Sequence, residues 1–392
     1  MNDNVIILGA GASKDAGIPM SKDFVNKMRD YAFKGMNEEV PLSALDKEVF
    51  KKARGVMDDL DKFHSRANFD DRNIEDILSI LSFDMIGETQ TENDSFNWMI
   101  KAIARTIELS CNIKYNFALE THQTARGDSY RLFWAAFFEK FMDLNNIPTI
   151  ITFNYDLVLE RSLFQQLNNI PIKQYPFDGI ILQYHYNFPE DFCYKIVKAR
   201  YINPNDYSAD DEEGTKLQRC LKTDLKKPIV IEILKLHGSL NFPQITGNEK
   251  PKYQPPTELV NEPFIIPPIS NKSISDDAEA IWKVALTRLR EAKNIVIVGY
   301  SLPRTDVYVQ YFLKTALGPN LNLNQITVFN PELFRDNNKN SDMRKRYYEC
   351  FSEQVIRGLI NFIPEAKGIS EEVGSFRYFV YDIPDTKNEL FF

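Results

Sequence analysis

The chain has 392 residues, long enough for two or three domains, and 43% of them are hydrophobic, which is enough for a sizeable core. The net charge of −8 excludes a general electrostatic attraction to nucleic acid or to an anionic membrane, so direct nucleic-acid binding is not expected. No apolar run approaches the roughly 18 residues of a membrane span, and no cleavable leader is recognisable, so we expect no membrane partner.

The first predicted element is a strand over Val5 to Leu8, which runs straight into a glycine-rich turn. Residues 22–145 then read mostly as helix, because apolar positions recur three and four apart in Ile74 to Leu81, Phe96 to Glu108 and Ser129 to Leu144. This is too much helix for one crossover, so we interpret it as a helical subdomain inserted into an α/β core.

Short buried strands alternating with helices follow the insertion, a pattern that predicts a Rossmann-like, doubly wound parallel sheet. The predicted strands are residues 148–153, 229–236, 294–298 and 325–329, and the predicted helices are Asp156 to Gln166 and Asp306 to Leu317. We expect one catalytic domain over residues 1–335. A small C-terminal appendage, residues 336–392, begins with a polar break over Asp336 to Asp342 and carries a helix near Met343 to Phe351 and a strand near Phe376 to Tyr381.

Two segments are expected to be surface excursions. Asn203 to Lys227 carries the acidic run Asp210 to Gly214 and predicts a solvated loop. Pro243 to Pro268 is dense in proline, and a loop of that length without secondary structure is often functional, so we expect it to cover a site.

Candidate chemistry begins in the turn after the first strand, whose backbone amides could approach phosphate oxygens. Lysine at position 14 departs from the usual dinucleotide-binding pattern, and a plain strand-to-helix turn remains the alternative. The residues concerned are Gly9, Ala10, Gly11, Ala12 and Ser13, followed by Gly17, Ile18 and Pro19.

Two further turns carry groups suited to catalysis. Asn154 follows a predicted strand and either offers a bidentate carboxamide to a ribose hydroxyl or a water, or only forms the turn. Asp156 either accepts from a hydroxyl or caps the next helix. His237 also ends a predicted strand, and an imidazole is the natural proton acceptor near neutral pH. The other three histidines, His64, His122 and His185, are read as structural or merely exposed.

The last candidate turn, Gly299-Tyr300-Ser301-Leu302-Pro303, ends the predicted strand 294–298. Its amides and the Ser301 hydroxyl could hold a phosphate or a ribose. Asn330 follows the next strand at the equivalent position, and both segments could equally be ordinary turns. In an open parallel sheet the carboxyl ends of the strands form the ligand crevice, so all of these turns are expected to converge.

In this order, the motifs resemble those of the sirtuin family, and more closely its prokaryotic sirtuin-like branch associated with antiphage defence. The resemblance covers about residues 1–335. The features that carry it are the glycine turn, the T-x-N-Y-D motif of Thr152 to Asp156, His237-Gly238, the G-x-S-L of residues 299–302, and Asn330, which stands where a family asparagine contacts the adenine-side ribose. The resemblance implies cleavage of the nicotinamide–ribose bond of NAD, with Asn154 positioning ribose and water and His237 as the base. The glycine turn, Asp156, Gly299, Ser301 and Asn330 would bind the rest of the dinucleotide.

Departures from the deacylase pattern favour water over acyl-lysine as the acceptor. Zinc is not expected, because the four cysteines, Cys111, Cys193, Cys220 and Cys350, form no C-x-x-C pair, and scattered thiols are typical of the cytoplasm. Met20-Ser21-Lys22 follows Pro19, and Phe153 replaces a glutamine. The alternatives are an NAD or ADP-ribose sensor that does not cleave its ligand and an NAD-dependent deacylase. The resemblance also implies a homo-oligomer, with a HerA-type ATPase or another defence component as a possible partner.

Overall fold

The computed structural model describes the chain in fifteen segments, and everything below refers to these residues. They are 3–36, 41–63, 70–84, 94–116, 121–123, 129–141, 147–169, 177–186, 192–195, 218–219, 226–244, 255–267, 276–334, 342–363 and 375–385. None of the helices in these segments is both long and apolar enough to cross a membrane.

Thirteen strands are formed by the described residues. In chain order they are β1 (Asn4–Leu8), β2 (Lys114–Asn116), β3 (Thr121–Gln123), β4 (Thr149–Thr152), β5 (Gly179–Gln183), β6 (Phe192–Lys195), β7 (Gln218–Arg219), β8 (Pro228–Lys235), β9 (Gly238–Pro243), β10 (Pro263–Ile265), β11 (Asn294–Val298), β12 (Gln325–Phe329) and β13 (Ile360–Ile363).

Eleven α-helices accompany them. They are α1 (Ser21–Met36), α2 (Ala44–Phe63), α3 (Ile74–Asp84), α4 (Asp94–Ser110), α5 (Ser129–Phe141), α6 (Val158–Asn169), α7 (Asp276–Glu291), α8 (Val307–Leu317), α9 (Asp342–Cys350), α10 (Glu353–Gly358) and α11 (Phe376–Asp385).

Nine of the described strands form one sheet in the order β13-β12-β11-β1-β4-β8-β5-β6-β7. The first seven in this order run parallel, and only β6 and β7 are antiparallel to their neighbours. The central strands are buried along their length, as a parallel sheet covered by helices requires. The fold is therefore α/β and Rossmann-like, which confirms the predicted class.

The chain reverses its direction of growth across the sheet beside β1. Strands β4, β8 and β5 lie on one side of β1, whereas β11, β12 and β13 lie on the other. Such a switch point opens a crevice at the carboxyl ends of the two central strands, here β1 and β11.

The predicted helical insertion is present between β1 and β4 as α1 to α5, with the short hairpin β2-β3. Helices α1, α2 and α4 pack on one another, and α5 packs on α6. An ion pair between Arg161 of α6 and Glu108 of α4, 2.8 Å apart and largely buried, fastens the insertion to the α/β core.

Four predictions need correction or lie outside the described residues. The predicted strand near Phe376 to Tyr381 is wrong, because Phe376, Phe379 and Val380 bury one face of the helix α11. The proline-rich segment is not wholly without structure, since β10 within it pairs antiparallel with β9. The acidic run Asp210 to Gly214 and the polar break from Asp336 to Ser341 lie outside the described residues.

Candidate active site

The candidate motifs follow five strands that are neighbours in the sheet, in the order β12-β11-β1-β4-β8. Leu8, Thr152 and Lys235 are in register across β1, β4 and β8, and Leu8, Val298 and Phe329 across β1, β11 and β12. The first residues after these strands are therefore level along one edge. We call them the carboxyl-edge row: Gly9, Phe153, Leu236, Gly299 and Asn330.

Backbone hydrogen bonds continue past the strands and hold the row together. The bonds are Gly9 N to Val298 O (2.9 Å), Phe153 N to Leu8 O (3.1 Å), Leu236 N to Thr152 O (3.0 Å) and Gly299 N to Phe329 O (3.0 Å). Because each bond links neighbouring strands, the motifs share a rigid edge although they are far apart in the chain.

The glycine turn packs backbone to backbone against the turn after β11. A Cβ atom on Gly9 would lie 2.5 Å from Tyr300 Cα, so only glycine allows this approach. Gly299 has φ +67°, a left-handed conformation that also favours glycine. The sequence motif is thus explained first by the packing of two central turns.

The amides of the glycine turn are largely engaged within the protein. Gly11 N donates to Gly299 O and Ala12 N to Gly9 O, both at 2.9 Å, in addition to the bond from Gly9 N. Ala10, at the start of the 3-10 helix Ala10–Ala16, is exposed. In this conformation a phosphate would meet the turn at Ala10 rather than at the amides of Gly9, Gly11 and Ala12.

Asn154 stands one residue beyond the row and binds the glycine turn directly. Its Nδ2 donates to Gly9 O and to Ser13 Oγ, each at 3.0 Å. Because a carbonyl oxygen only accepts, the contact with Gly9 fixes which end of the carboxamide is nitrogen. Among the described residues no donor contacts Oδ1, so this oxygen is the part of Asn154 that can accept from a hydroxyl or a water.

Ser13 connects this pair to the helical insertion. Its hydroxyl lies 3.2 Å from the hydroxyl of Tyr130, a residue of α5. Burial, and to a smaller extent Asp156, raise the pKa of Tyr130 well above its usual value, so its phenol stays protonated. The orientation of Asn154 therefore depends on a buried contact with the insertion.

His237 stands one residue beyond the row on the neighbouring strand β8, and its side chain is surrounded by aromatic rings. The centroid of Phe153 lies 5.2 Å from that of the imidazole, and those of Tyr155 and Trp282 lie 6.3 Å away. Trp282 is held by donation of Nε1 to Leu236 O at 3.0 Å. This setting shields the imidazole from bulk water.

The proline-rich segment lies against His237, as we expected of a covering loop. Ile266 N donates to His237 O at 2.8 Å, and Tyr155 OH donates to Ile266 O at 2.8 Å. Asn154 is 9% exposed and His237 5%, so the conformation is closed over both. A dinucleotide could contact both side chains only if the atoms that now cover them move.

Sequence reasoning did not single out Asp306, which lies beside this site. Its Oδ2 is 4.0 Å from His237 Nε2 and accepts a hydrogen bond from Tyr300 OH at 2.9 Å. The ring of Tyr300 in turn stacks on that of Phe153, with centroids 4.4 Å apart. The signal was the acidic residue three positions after the G-x-S-L-P turn, which we had interpreted only as the start of a helix.

The hydrogen bonds of Asp156 stabilise the structure around the site. Its Oδ1 accepts from Val158 N at 3.1 Å and caps α6, the alternative left open for it. Its carbonyl oxygen accepts from Lys235 Nζ at 2.6 Å, and Lys235 also pairs with Glu160, 3.1 Å away in the core. A role of Asp156 in binding NAD stays a prediction.

The remaining predicted ligand residues contact other parts of the chain. Gly17 packs beside Ser110 and Asn112 at the end of α4, next to the buried Ile18 and the half-buried Pro19. Ser301 O accepts two bonds from Arg346, at 3.0 and 3.1 Å, and Asn330 Oδ1 accepts from Glu332 N at 3.0 Å. Their binding roles stay predictions.

His185 fits the structural role predicted for it. Its Nε2 lies 2.8 Å from Glu232 Oε1, and Glu232 also receives hydrogen bonds from Arg288 and Thr149. Burial raises the pKa of Glu232, but these hydrogen bonds outweigh burial and lower the pKa to about 2. His64 and the side chain of His122 lie outside the described residues.

The described residues contain no group of three or more His, Cys, Asp or Glu side chains that could hold a metal ion. Two surface cavities, of about 220 and 300 Å³, are lined by residues from other parts of the molecule. Neither includes a residue of the carboxyl-edge row.

No protein-family model matches the sequence, and no curated protein matches it. Among solved structures, a Sir2 homologue in complex with NAD is 12% identical, with a TM-score of 0.35 over 98% of this chain and 90% of that chain. A mutant Sir2 homologue in complex with ADP-ribose is also 12% identical, with a TM-score of 0.24 over 88% and 91%. At these scores neither likeness carries an argument about this chain, and the fold class rests on the sheet itself.

Proposed function

We propose that the protein is a sirtuin-like NAD+ hydrolase that cleaves the bond between nicotinamide and ribose. The observation that carries this proposal is the register of the sheet: Asn154 and His237 each stand one residue beyond the row, on neighbouring strands. Neighbouring strands are about 4.8 Å apart, so a single sugar can contact both side chains. The resemblance of the five motifs to the sirtuin pattern supplies the choice of ligand.

The reaction converts NAD+ and water into nicotinamide, ADP-ribose and a proton. Positive charge develops on the ribose as the C–N bond breaks, so rate is gained by holding the sugar and by placing negative charge and acceptors near it. Asn154 is fixed through Nδ2, which leaves Oδ1 to accept from the attacking water or a ribose hydroxyl. His237 acts as the general base that takes the proton of that group.

Nicotinamide release from NAD+, followed by chromatography, tests the proposal. Asn154→Ala and His237→Ala should each lower the rate about a hundredfold or more. His185→Gln is the matched control, because it removes a histidine that pairs with Glu232 away from the row, and its rate should stay within about threefold of the parent rate. Thermal unfolding must show that each variant is still folded at the temperature of the assay.

The same experiment separates the two alternatives. A sensor would bind NAD+ in calorimetry and leave it intact at high protein concentration, both with and without the product of a neighbouring gene, and that result would overturn the hydrolase. A deacylase would release nicotinamide only when an acetylated peptide is added. Persistence of NAD+ with no heat of binding would overturn all three proposals.

We further propose that the enzyme acts on the cytoplasmic NAD pool as a regulated effector of antiphage defence. Uncontrolled hydrolysis would kill the cell, so activity must depend on assembly into a homo-oligomer or on a partner such as a HerA-type ATPase. The helical insertion is the proposed contact surface, since Tyr130 links it to Ser13 and Asn154. Light scattering of the purified chain, alone and with the product of a neighbouring gene, measures assembly; a monomer in both samples with full NAD+ consumption would contradict this regulation.

A further inference from the structure

We propose that Asp306 is a positioning residue whose carboxylate orients the His237 imidazole and stabilises the positive charge that the ring acquires on taking a proton. The two groups are 4.0 Å apart, and their side chains are 9% and 7% exposed. At this distance and burial, solvent screens the attraction only in part. The predicted effect on rate rests on the proposed NAD hydrolysis, whereas the pairing itself does not.

Neighbouring side chains, and not the helix that follows it, set the orientation of the Asp306 carboxylate. Although Asp306 precedes α8, its side chain makes no capping hydrogen bond to that helix. Instead Oδ2 accepts from Tyr300 OH at 2.9 Å, and Tyr300 is held by stacking on Phe153 and by donation from Tyr347 OH to its carbonyl at 2.8 Å. Phe153 also contacts the imidazole, so one packed unit fixes both partners.

The Tyr300 phenol stays protonated at ordinary pH and can therefore donate a hydrogen bond to Asp306. Burial raises its pKa, and the neighbouring Asp306 raises it further, well above the usual value. A neutral phenol that donates to a carboxylate leaves the negative charge on Asp306, which is the form that can support an imidazolium.

Other titratable groups near His237 do not replace Asp306. Burial raises the pKa of Tyr155 most, and Glu75 of α3 contributes to the same rise. Glu75 accepts a hydrogen bond from Thr305 Oγ1 at 2.6 Å. Lys235, two residues before His237, directs its ammonium to Asp156 O, Ser239 and Glu160. The Asp306 carboxylate lies within ion-pair distance of the imidazole, 4.0 Å from Nε2.

Asp306→Asn tests the proposal, because it removes the charge and keeps an oxygen that can accept from Tyr300. Asp342→Asn is the matched control: it removes an exposed carboxylate from the first turn of α9, away from the row. NMR of the histidine rings, assigned with His237→Gln, measures the midpoint of the His237 titration without any need for activity. Asp306→Asn should lower that midpoint by about one unit or more, since the imidazolium loses its counter-charge, and Asp342→Asn should not.

Kinetics provide the second readout. Asp306→Asn should lower kcat about tenfold or more with KM changed less than about threefold, and it should have no further effect in the His237→Gln background. An unchanged titration midpoint, or equal rate losses with and without His237, would overturn the pairing. If the parent protein leaves NAD+ intact with and without the product of a neighbouring gene, the hydrolase fails, and the NMR titration still decides the role of Asp306.

Discussion

Replacing Gly9 by alanine probes the contact on which the site is built. The new Cβ atom would lie 2.5 Å from Tyr300 Cα and 2.7 Å from Gly299 O, roughly 1 Å closer than ordinary contacts allow. Since both of these atoms belong to the backbone, the turns after β1 and β11 must separate. Rotation of one flexible side chain cannot relieve the clash.

The expected loss of stability follows from the hydrogen bonds that would be strained when the two turns separate. Three bonds join this region: Gly9 N to Val298 O, Gly11 N to Gly299 O, and Asn154 Nδ2 to Gly9 O. Each of these bonds contributes about 1 kcal/mol, and overpacking, which is the alternative response, costs about 1–3 kcal/mol. Gly9→Ala should therefore lower the free energy of unfolding by about 2–4 kcal/mol. NAD affinity should fall as well, because Asn154 loses its anchor.

Gly55→Ala is the control for this substitution. Gly55 lies on the exposed face of α2, and a Cβ atom there meets nothing within 4 Å. Alanine should therefore raise stability by about 0.5–1 kcal/mol, the difference in helix-interior preference. Urea unfolding of both variants gives the comparison. A Gly9→Ala protein within about 0.5 kcal/mol of the parent, with unchanged NAD affinity, would refute the reasoning.

Three further predictions concern the buried polar groups. Asn154→Asp should destabilise the fold by about 2 kcal/mol or more, measured by urea unfolding, because a carboxylate facing Gly9 O replaces a donor; an equally stable variant would show that Nδ2 does not donate there. Lys235→Met should cost about 3–5 kcal/mol, since it leaves Glu160 buried without its cation, and Lys235→Met with Glu160→Gln should recover part of that loss; additive losses would contradict a direct pair. The folded pKa of Glu232, about 2, lies below its ordinary value of 4.5, so Glu232 adds stability that is complete above pH 4.5 and lost as pH falls towards 2. Thermal unfolding should show that Glu232→Gln lowers Tm at pH 7 by more than at pH 2.5, and an equal shift at both pH values would exclude this linkage.

Much of the fold could be predicted because the central strands are nearly continuous runs of β-branched residues. The predicted strands 294–298 and 325–329 agree with β11 and β12 at both ends. Such runs are typical of strands buried on both faces, which only a parallel sheet covered by helices provides. Once these strands were placed, the convergence of the turns that follow them was an expectation of the α/β topology.

Features set by distant contacts were not readable from the sequence. Phe376, Tyr378 and Val380 alternate as in a strand, but packing of Phe376 on Tyr130 and of Phe379 on Phe329 selects the helix α11. Nothing local in the proline-rich segment indicates that β10 pairs with β9 or that Ile266 binds His237. Tertiary contacts override local pattern in both cases.

The residues of the candidate site could be predicted from the sequence, but the hydrogen bonds and the ion pair that join them could not. Asn154 and His237 were found because each follows a buried strand. By contrast, the anchoring of Asn154 to Gly9 and Ser13, and the pairing of His237 with Asp306, join residues between 69 and 145 positions apart. Periodicity and motif spacing carry no information about such pairs.

The central claim is that the turns after five neighbouring strands form one NAD site at the carboxyl edge of the sheet. A crystal structure of His237→Ala bound to NAD tests it most directly, because the variant should retain the dinucleotide uncleaved. We expect the nicotinamide ribose beside Asn154 Oδ1 and the remainder along the turns of Gly9 and Gly299, with residues 255–267 displaced. NAD bound away from the carboxyl-edge row, with residues 255–267 still in the closed position, would contradict the account.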